Sequence, residues 1–147
     1  MLERLHEHIT NELGLSSRTD TIFIVVAVLF NLIALGINSA ASGTAVANRS
    51  SGSGSGTGNQ AADVVLAVFI VMTILVNAIA LAGLYVGRQT RGKLLSGLVA
   101  MYTDNQVDKY YDKSLISGYG TRYLLFGGAI IVLALTAIII PLVIRFL

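Results

Sequence analysis

Three groups of residues have side chains and spacings that could do chemistry. Asp104, Asp108 and Asp112 recur at every fourth position, which on a helix sets three carboxylates in one row. Such a row invites a calcium site or acid–base catalysis. The pattern fits neither: an EF-hand loop alternates its oxygen ligands around a turn, carboxylates four apart repel one another, and Lys109 and Lys113 stand close enough to neutralise them. Val107, Tyr110 and Tyr111 form an apolar patch beside the row. The expectation is a solvated or protein-docking face made of Asp104, Asp108, Tyr110, Tyr111 and Asp112. His6 and His8 are the second group, but residues two apart on a helix point to different faces and do not readily chelate one metal. They read as solvent-facing polar side chains. The third group is Asn31 and Asn77, amides well inside apolar runs, with Asn38 nearer the end of the first run. An amide in lipid needs a partner, and helix-to-helix hydrogen bonds of this kind contribute ~0.6 kcal/mol on average. Asn31 and Asn77 therefore read as glue between helices.

Beyond these groups the chain is poor in chemistry. It contains no Cys and no Trp, which excludes disulfides, thiolate metal sites and c-type haem attachment. No nucleotide-binding loop, catalytic triad or cofactor motif is present, so no enzymatic activity, cofactor or metal is expected. The net charge of +2 comes from ten Lys and Arg scattered among apolar stretches. Nucleic acid needs a concentrated basic face, and no nucleic-acid partner is expected.

The elements that must position these residues follow from the apolar content. The chain of 147 residues is 54% hydrophobic and 12% charged, whereas a soluble domain carries about a quarter charged residues. Its apolar residues fall into three runs of the length that matches a bilayer, about 20 residues. The expected fold is an all-α integral membrane protein with three transmembrane helices and amphipathic interfacial helices on the inner face. The expected division is an N-terminal amphipathic helix over 1–20, spans over 21–47 and 64–87, a Gly/Ser-rich outer loop over 48–63, an inner loop with an amphipathic helix over 88–122, and a third span with a short tail over 123–147. A net acidic flank precedes the first run, which favours a retained span over a cleaved leader.

Lys and Arg set the orientation. Three spans put the N-terminus and the 88–122 loop on one side, with Arg4, Arg18, Arg88, Arg91, Lys93, Lys109, Lys113 and Arg122, against Arg49 and Arg145 on the other. The positive-inside rule makes the basic side cytoplasmic, or internal in a virion, and turns 48–63 and the C-terminus outward. Tyr85, Tyr119 and Tyr123 sit where amphipathic rings favour the inner interface. Asn48-Arg49-Ser50 matches the N-glycosylation pattern on the outer side.

Two inner segments show helical stripes. Leu2, Leu5, Ile9 and Leu13 recur at spacings of three and four, and Ser16-Ser17 is expected to turn the chain into the first span. Its acidic polar face favours packing on the inner loop, whose net charge is +3, over anionic lipid. Leu94, Leu95, Leu98, Val99 and Tyr102 make the second stripe, with Arg88, Arg91 and Lys93 placed to meet lipid headgroups. Ser117-Gly118-Tyr119-Gly120-Thr121 reads as a hinge into the third span.

Within the spans, residues 23–35 and 69–81 share eight of thirteen positions, the Asn among them. Adjacent spans are antiparallel, so a true repeat would be inverted in topology. Gly36 with Ala40, Ser39 with Gly43, Gly83 with Gly87, and the Gly127-Gly128 notch follow the small-x-x-x-small pattern of close helix contact. Ile130 to Leu133 and Ile138 to Ile140 present apolar surface to lipid or to another subunit. The expected role is a non-catalytic structural or accessory protein that packs with itself or with other membrane subunits, in a membrane complex, an enveloped virus or a cell envelope. The alternative is a small oligomeric channel or transport subunit with an Asn/Thr-lined seam of Asn31, Asn77, Thr73 and Thr136.

Overall fold

Long apolar runs without internal proline favour uninterrupted helix, and only Pro141 lies inside one. A computed structural model of the chain describes residues 2–52, 56–106 and 114–146. They form three helices, α1 (Leu2–Ser50), α2 (Gly56–Asp104) and α3 (Ser114–Phe146). Each contains a stretch long and apolar enough to cross a membrane. The all-helical architecture with three candidate spans is thus the one the apolar runs predict.

The helices are longer than the spans. At 1.5 Å per residue, α1 and α2 are each about 73 Å long, more than twice the hydrocarbon thickness of about 30 Å. The amphipathic segments are not separate interfacial helices. Residues 2–20 are the first turns of α1, residues 88–104 are the last turns of α2, and Ser16-Ser17 and Ser117–Thr121 lie inside helices rather than at a turn or hinge. Local hydrogen bonding accounts for part of the difference. The Thr10, Thr19 and Thr21 hydroxyls donate to the carbonyls of His6, Leu15 and Ser17 one turn back, so these polar side chains are satisfied without breaking the helix. The Gly/Ser segment is likewise largely helical, because α1 continues to Ser50 and α2 resumes at Gly56.

Helix ends have identifiable caps. Gly52 adopts a φ of 65° and its N–H reaches the Arg49 carbonyl at 3.5 Å, a left-handed stop that only a residue without Cβ makes freely. After α2, Asn105 donates from Nδ2 to the Met101 carbonyl at 2.7 Å, and the Gln106 N–H bonds Thr103. Arg49 Nη1 reaches the Arg145 carbonyl at 3.4 Å, a cation at the C-terminal end of α3.

Packing follows a spacing of three and four. On α1 the buried stripe is Asp20, Ala27, Asn31, Ala34, Asn38, Ser42 and Ala45. Leu66, Thr73, Asn77, Ala80, Leu84, Arg91, Leu95 and Leu98 make that of α2. On α3 the buried side chains are Ile130, Ala137, Pro141 and Arg145. Ala27, Ala80, Leu84 and Ile130 form the central cluster, so Ile130 is core while Ile131, Val132, Ile139 and Ile140 stay exposed. Small side chains on α1 let the other helices approach closely, as in membrane bundles generally.

Polar contacts fix the directions. Asn31 lies against Asn77, and Asp20 against Arg91, so α1 and α2 run antiparallel. Asp20 also meets Tyr123, while Arg49 meets Arg145, which sets α3 parallel to α1. Beyond the Asp20 level, α1 continues for about 27 Å and α2 for about 20 Å. Past the same level α3 also continues for about 14 Å, from Tyr123 back to Ser114, so the extensions form an arm of α1 and α2 with the first turns of α3 at its base. Leu95 and Leu98 are buried in it, Ile9 and Leu13 are half-buried, and the His6 and Tyr102 rings lie 5.9 Å apart.

Candidate functional site

The seam positions dictate which polar groups are enclosed. Extending the stripe from Asn31 back along α1 reaches Asp20, and from Asn77 forward along α2 reaches Arg91. Both are buried, at 8% exposure each. Arg91 Nη2 lies 3.1 Å from Asp20 Oδ2, the Tyr123 hydroxyl donates to the same oxygen, and the Arg91 guanidinium sits 5.5 Å from the Tyr123 ring centre. One carboxylate thereby ties all three helices at one level. Gly87 makes room for it, since a Cβ there would run into Asp20 Oδ1. On this surface a cavity of about 260 Å³ opens between α1 and α3, and a wider groove of about 500 Å³ lies between α1 and α2 beside Phe23 and Gly83.

A second ion pair stands at the opposite end, where Arg145 on α3 meets Asp63 on α2. Tyr123 and Arg145 are about 33 Å apart along α3. That separation is close to a hydrocarbon core of about 30 Å, so the two charged clusters bracket an apolar length of the kind a bilayer requires.

Between them sits the amide pair. Asn31 Nδ2 donates to Asn77 Oδ1 and Asn77 Nδ2 to Asn31 Oδ1, both at 2.8 Å. Asn77 Nδ2 also reaches the Thr73 carbonyl at 2.6 Å, and the Thr73 hydroxyl bonds the Phe69 carbonyl. The residue shared by the two similar segments is thus their crossing point. The groups required for an Asn/Thr seam between protomers are engaged inside one chain, and the Thr136 hydroxyl likewise bonds the Val132 carbonyl of its own helix. Nearer the Arg145 end, Asn38 and Ser42 are buried with no hydrogen-bond partner among the described residues.

The remaining expected site residues separate by location. Gly83 packs on the Phe23 ring, with a Cβ placed 3.2 Å from it, and Gly127 faces Leu81. Gly36, Gly43 and Gly128 would carry a Cβ into open space, and Ala40 is exposed, so these four make no close helix contact within the chain. The reason is geometric: at about 100° per residue, Gly36, Ala40 and Gly43 lie on the side of α1 opposite Asn31 and Asn38. Arg91 is corrected from headgroup contact to the enclosed ion pair, whereas Arg88 and Lys93 are exposed. Asp104 is exposed at the end of α2, and Asp108, Tyr110, Tyr111 and Asp112 lie outside the described residues. His6 faces Tyr102 while His8 is exposed.

Sequence reasoning missed Asp20, Asp63, Tyr123 and Arg145 as partners. The signal for Asp20 and Arg91 was available, because both fall on the three-and-four spacing that runs through the Asn residues. The features define a class: a bundle of three long helices, each able to cross a membrane, with charged ties at both ends of the apolar length. No protein-family model, curated protein or solved structure matches the chain.

Proposed function

We propose that this chain is a non-catalytic structural or accessory membrane protein, a self-packed three-span anchor that holds up a two-helix arm for docking to other subunits of a membrane assembly. The supporting observation is the arm. Helices α1 and α2 continue well beyond the Asp20 level while, among the described side chains there, Leu95 and Leu98 are the large apolar residues buried, and their outer faces carry exposed Glu3, Glu7, Glu12, Lys93 and Asp104. A helix pair with that little core has a polar surface suited to a charged partner rather than to lipid. The excess of Lys and Arg on the arm side supports a cytoplasmic or virion-internal location for it.

Extraction in mild detergent tests the proposal. The protein is expected to emerge in an assembly larger than one chain, and Asp104→Asn with Asp108→Asn and Asp112→Asn is expected to shrink that assembly without unfolding the bundle. Light scattering on the eluted peak reads the mass. A single chain at every concentration would contradict the docking role.

A further inference from the structure

The cavity beside Asp20 has a polarity gradient. Ser17, Thr21 and Arg122 line it on the arm side, and Ile24 and Phe126 line it towards the middle of the apolar length. Along the axis, Ile24 lies about 10 Å beyond Ser17, and Phe126 about 6 Å beyond Arg122. Charge is uneven in the same direction. The Arg91 guanidinium on the cavity wall is already matched by Asp20. Arg122 is exposed and forms no ion pair with any described residue, which leaves the lining with one net positive charge.

We propose that this cavity binds the phosphate of an anionic phospholipid, with Arg122 as the counter-charge and the Ser17 hydroxyl as a further donor. Guanidinium is the side chain best matched to phosphate oxygens, through two parallel N–H bonds. The Thr21 hydroxyl already donates to the Ser17 carbonyl at 2.9 Å, so it lines the cavity without supplying a proton. The first part of an acyl chain would leave over Ile24 and Phe126 towards the hydrocarbon. A free anion has no use for that apolar end. The quaternary ammonium of a zwitterionic choline lipid is repelled by the net positive lining, and Asp20, the carboxylate that could offset it, is occupied by Arg91 and Tyr123. The site sits at the base of the arm and uses none of the carboxylates assigned to docking, so it stands whether or not the arm docks a partner.

Native mass spectrometry of the full chain tests the site with three probes: phosphatidylglycerol, phosphatidylcholine with the same acyl chains, and inorganic phosphate. Phosphatidylglycerol is expected to be retained about ten-fold better than phosphatidylcholine, a ratio in line with one charge-assisted contact. Arg122→Gln is expected to remove that preference and Arg122→Lys to keep most of it, while Arg18→Gln, an exposed charge outside the cavity lining, leaves it intact. Circular dichroism of each variant confirms that the helices persist. Equal retention of the two lipids, an Arg122→Gln protein indistinguishable from Arg18→Gln, or inorganic phosphate displacing the lipid at equal concentration would each overturn the proposal.

Discussion

Replacing Asp20 with Ala is expected to destabilise the bundle by about 3–5 kcal/mol, the range for removing one partner of a buried ion pair. The loss is large because Arg91 is left enclosed at 8% exposure and the Tyr123 hydroxyl loses its acceptor. Unfolding monitored by circular dichroism in a mixed-micelle titration measures it. Asp20→Leu combined with Arg91→Met should be less destabilised than Asp20→Leu alone, since the double variant leaves no buried charge unmatched. Gly87 provides an internal control. In the wild-type background Gly87→Ala pushes a methyl into the Asp20 carboxylate and should destabilise. With Asp20→Ala already in place, the same change should become neutral or favourable, because Ala is the better helix former by about 1 kcal/mol. Additive effects of the two substitutions would contradict the contact.

The second large effect concerns the amide pair. Asn31→Leu alone strands the Asn77 side chain in an apolar core, where an unsatisfied polar group costs about 1–3 kcal/mol. Asn77 retains its bond to the Thr73 carbonyl through Nδ2, which places the expected loss towards the lower end. Asn31→Leu with Asn77→Leu removes both amides and should recover part of that loss. The coupling energy from the double-mutant cycle is expected near ~0.6 kcal/mol and no higher than ~1.7 kcal/mol, the range for such bonds between membrane helices. A cycle with no coupling would mean that the two amides do not meet. The result also bears on transport, because amides paired with each other inside one chain are not available to line a pore between copies.

How much of this was legible in the sequence depends on the element. The three apolar lengths could be read directly, since hydrocarbon thickness sets a minimum run and no charge interrupts the centres. The likeness of residues 23–35 to residues 69–81, the Asn among them, was visible in the sequence, and those two Asn are joined by reciprocal bonds. Helix ends were not legible. Ser16-Ser17 and Ser117–Thr121 have turn-forming composition, but continuous helix satisfies every backbone group along a path with no proline, and pairing of α1 with α2 supplies apolar contacts well past the span.

Within the chain, α1 packs through the stripe of Asn31 and not through Gly36, Ala40 and Gly43. Two stripes of small residues lie on opposite sides of that helix, one with Gly36, Ala40 and Gly43 and one with Ala27, Ala34, Ser42 and Ala45. The small-residue pattern alone does not choose between them. The amides do, because Asn31 and Asn38 share the second stripe, and a polar side chain within a span turns inward. Extending that stripe in both directions would also have brought Asp20 to Arg91. The basic cluster of Arg88, Arg91 and Lys93 instead points to lipid headgroups when read by composition alone.

Helix α1 carries the chain without a break from the arm into the apolar bundle. The chain has no native Cys, so spin labels can be attached to Cys introduced for Thr10 and Thr44, both exposed on α1, and their separation measured by pulsed electron–electron resonance in nanodiscs. A continuous helix predicts about 51 Å between the two backbone positions. A distribution centred at about 42 Å, as a right-angle turn at Ser16-Ser17 would give from the same rise per residue, would contradict it.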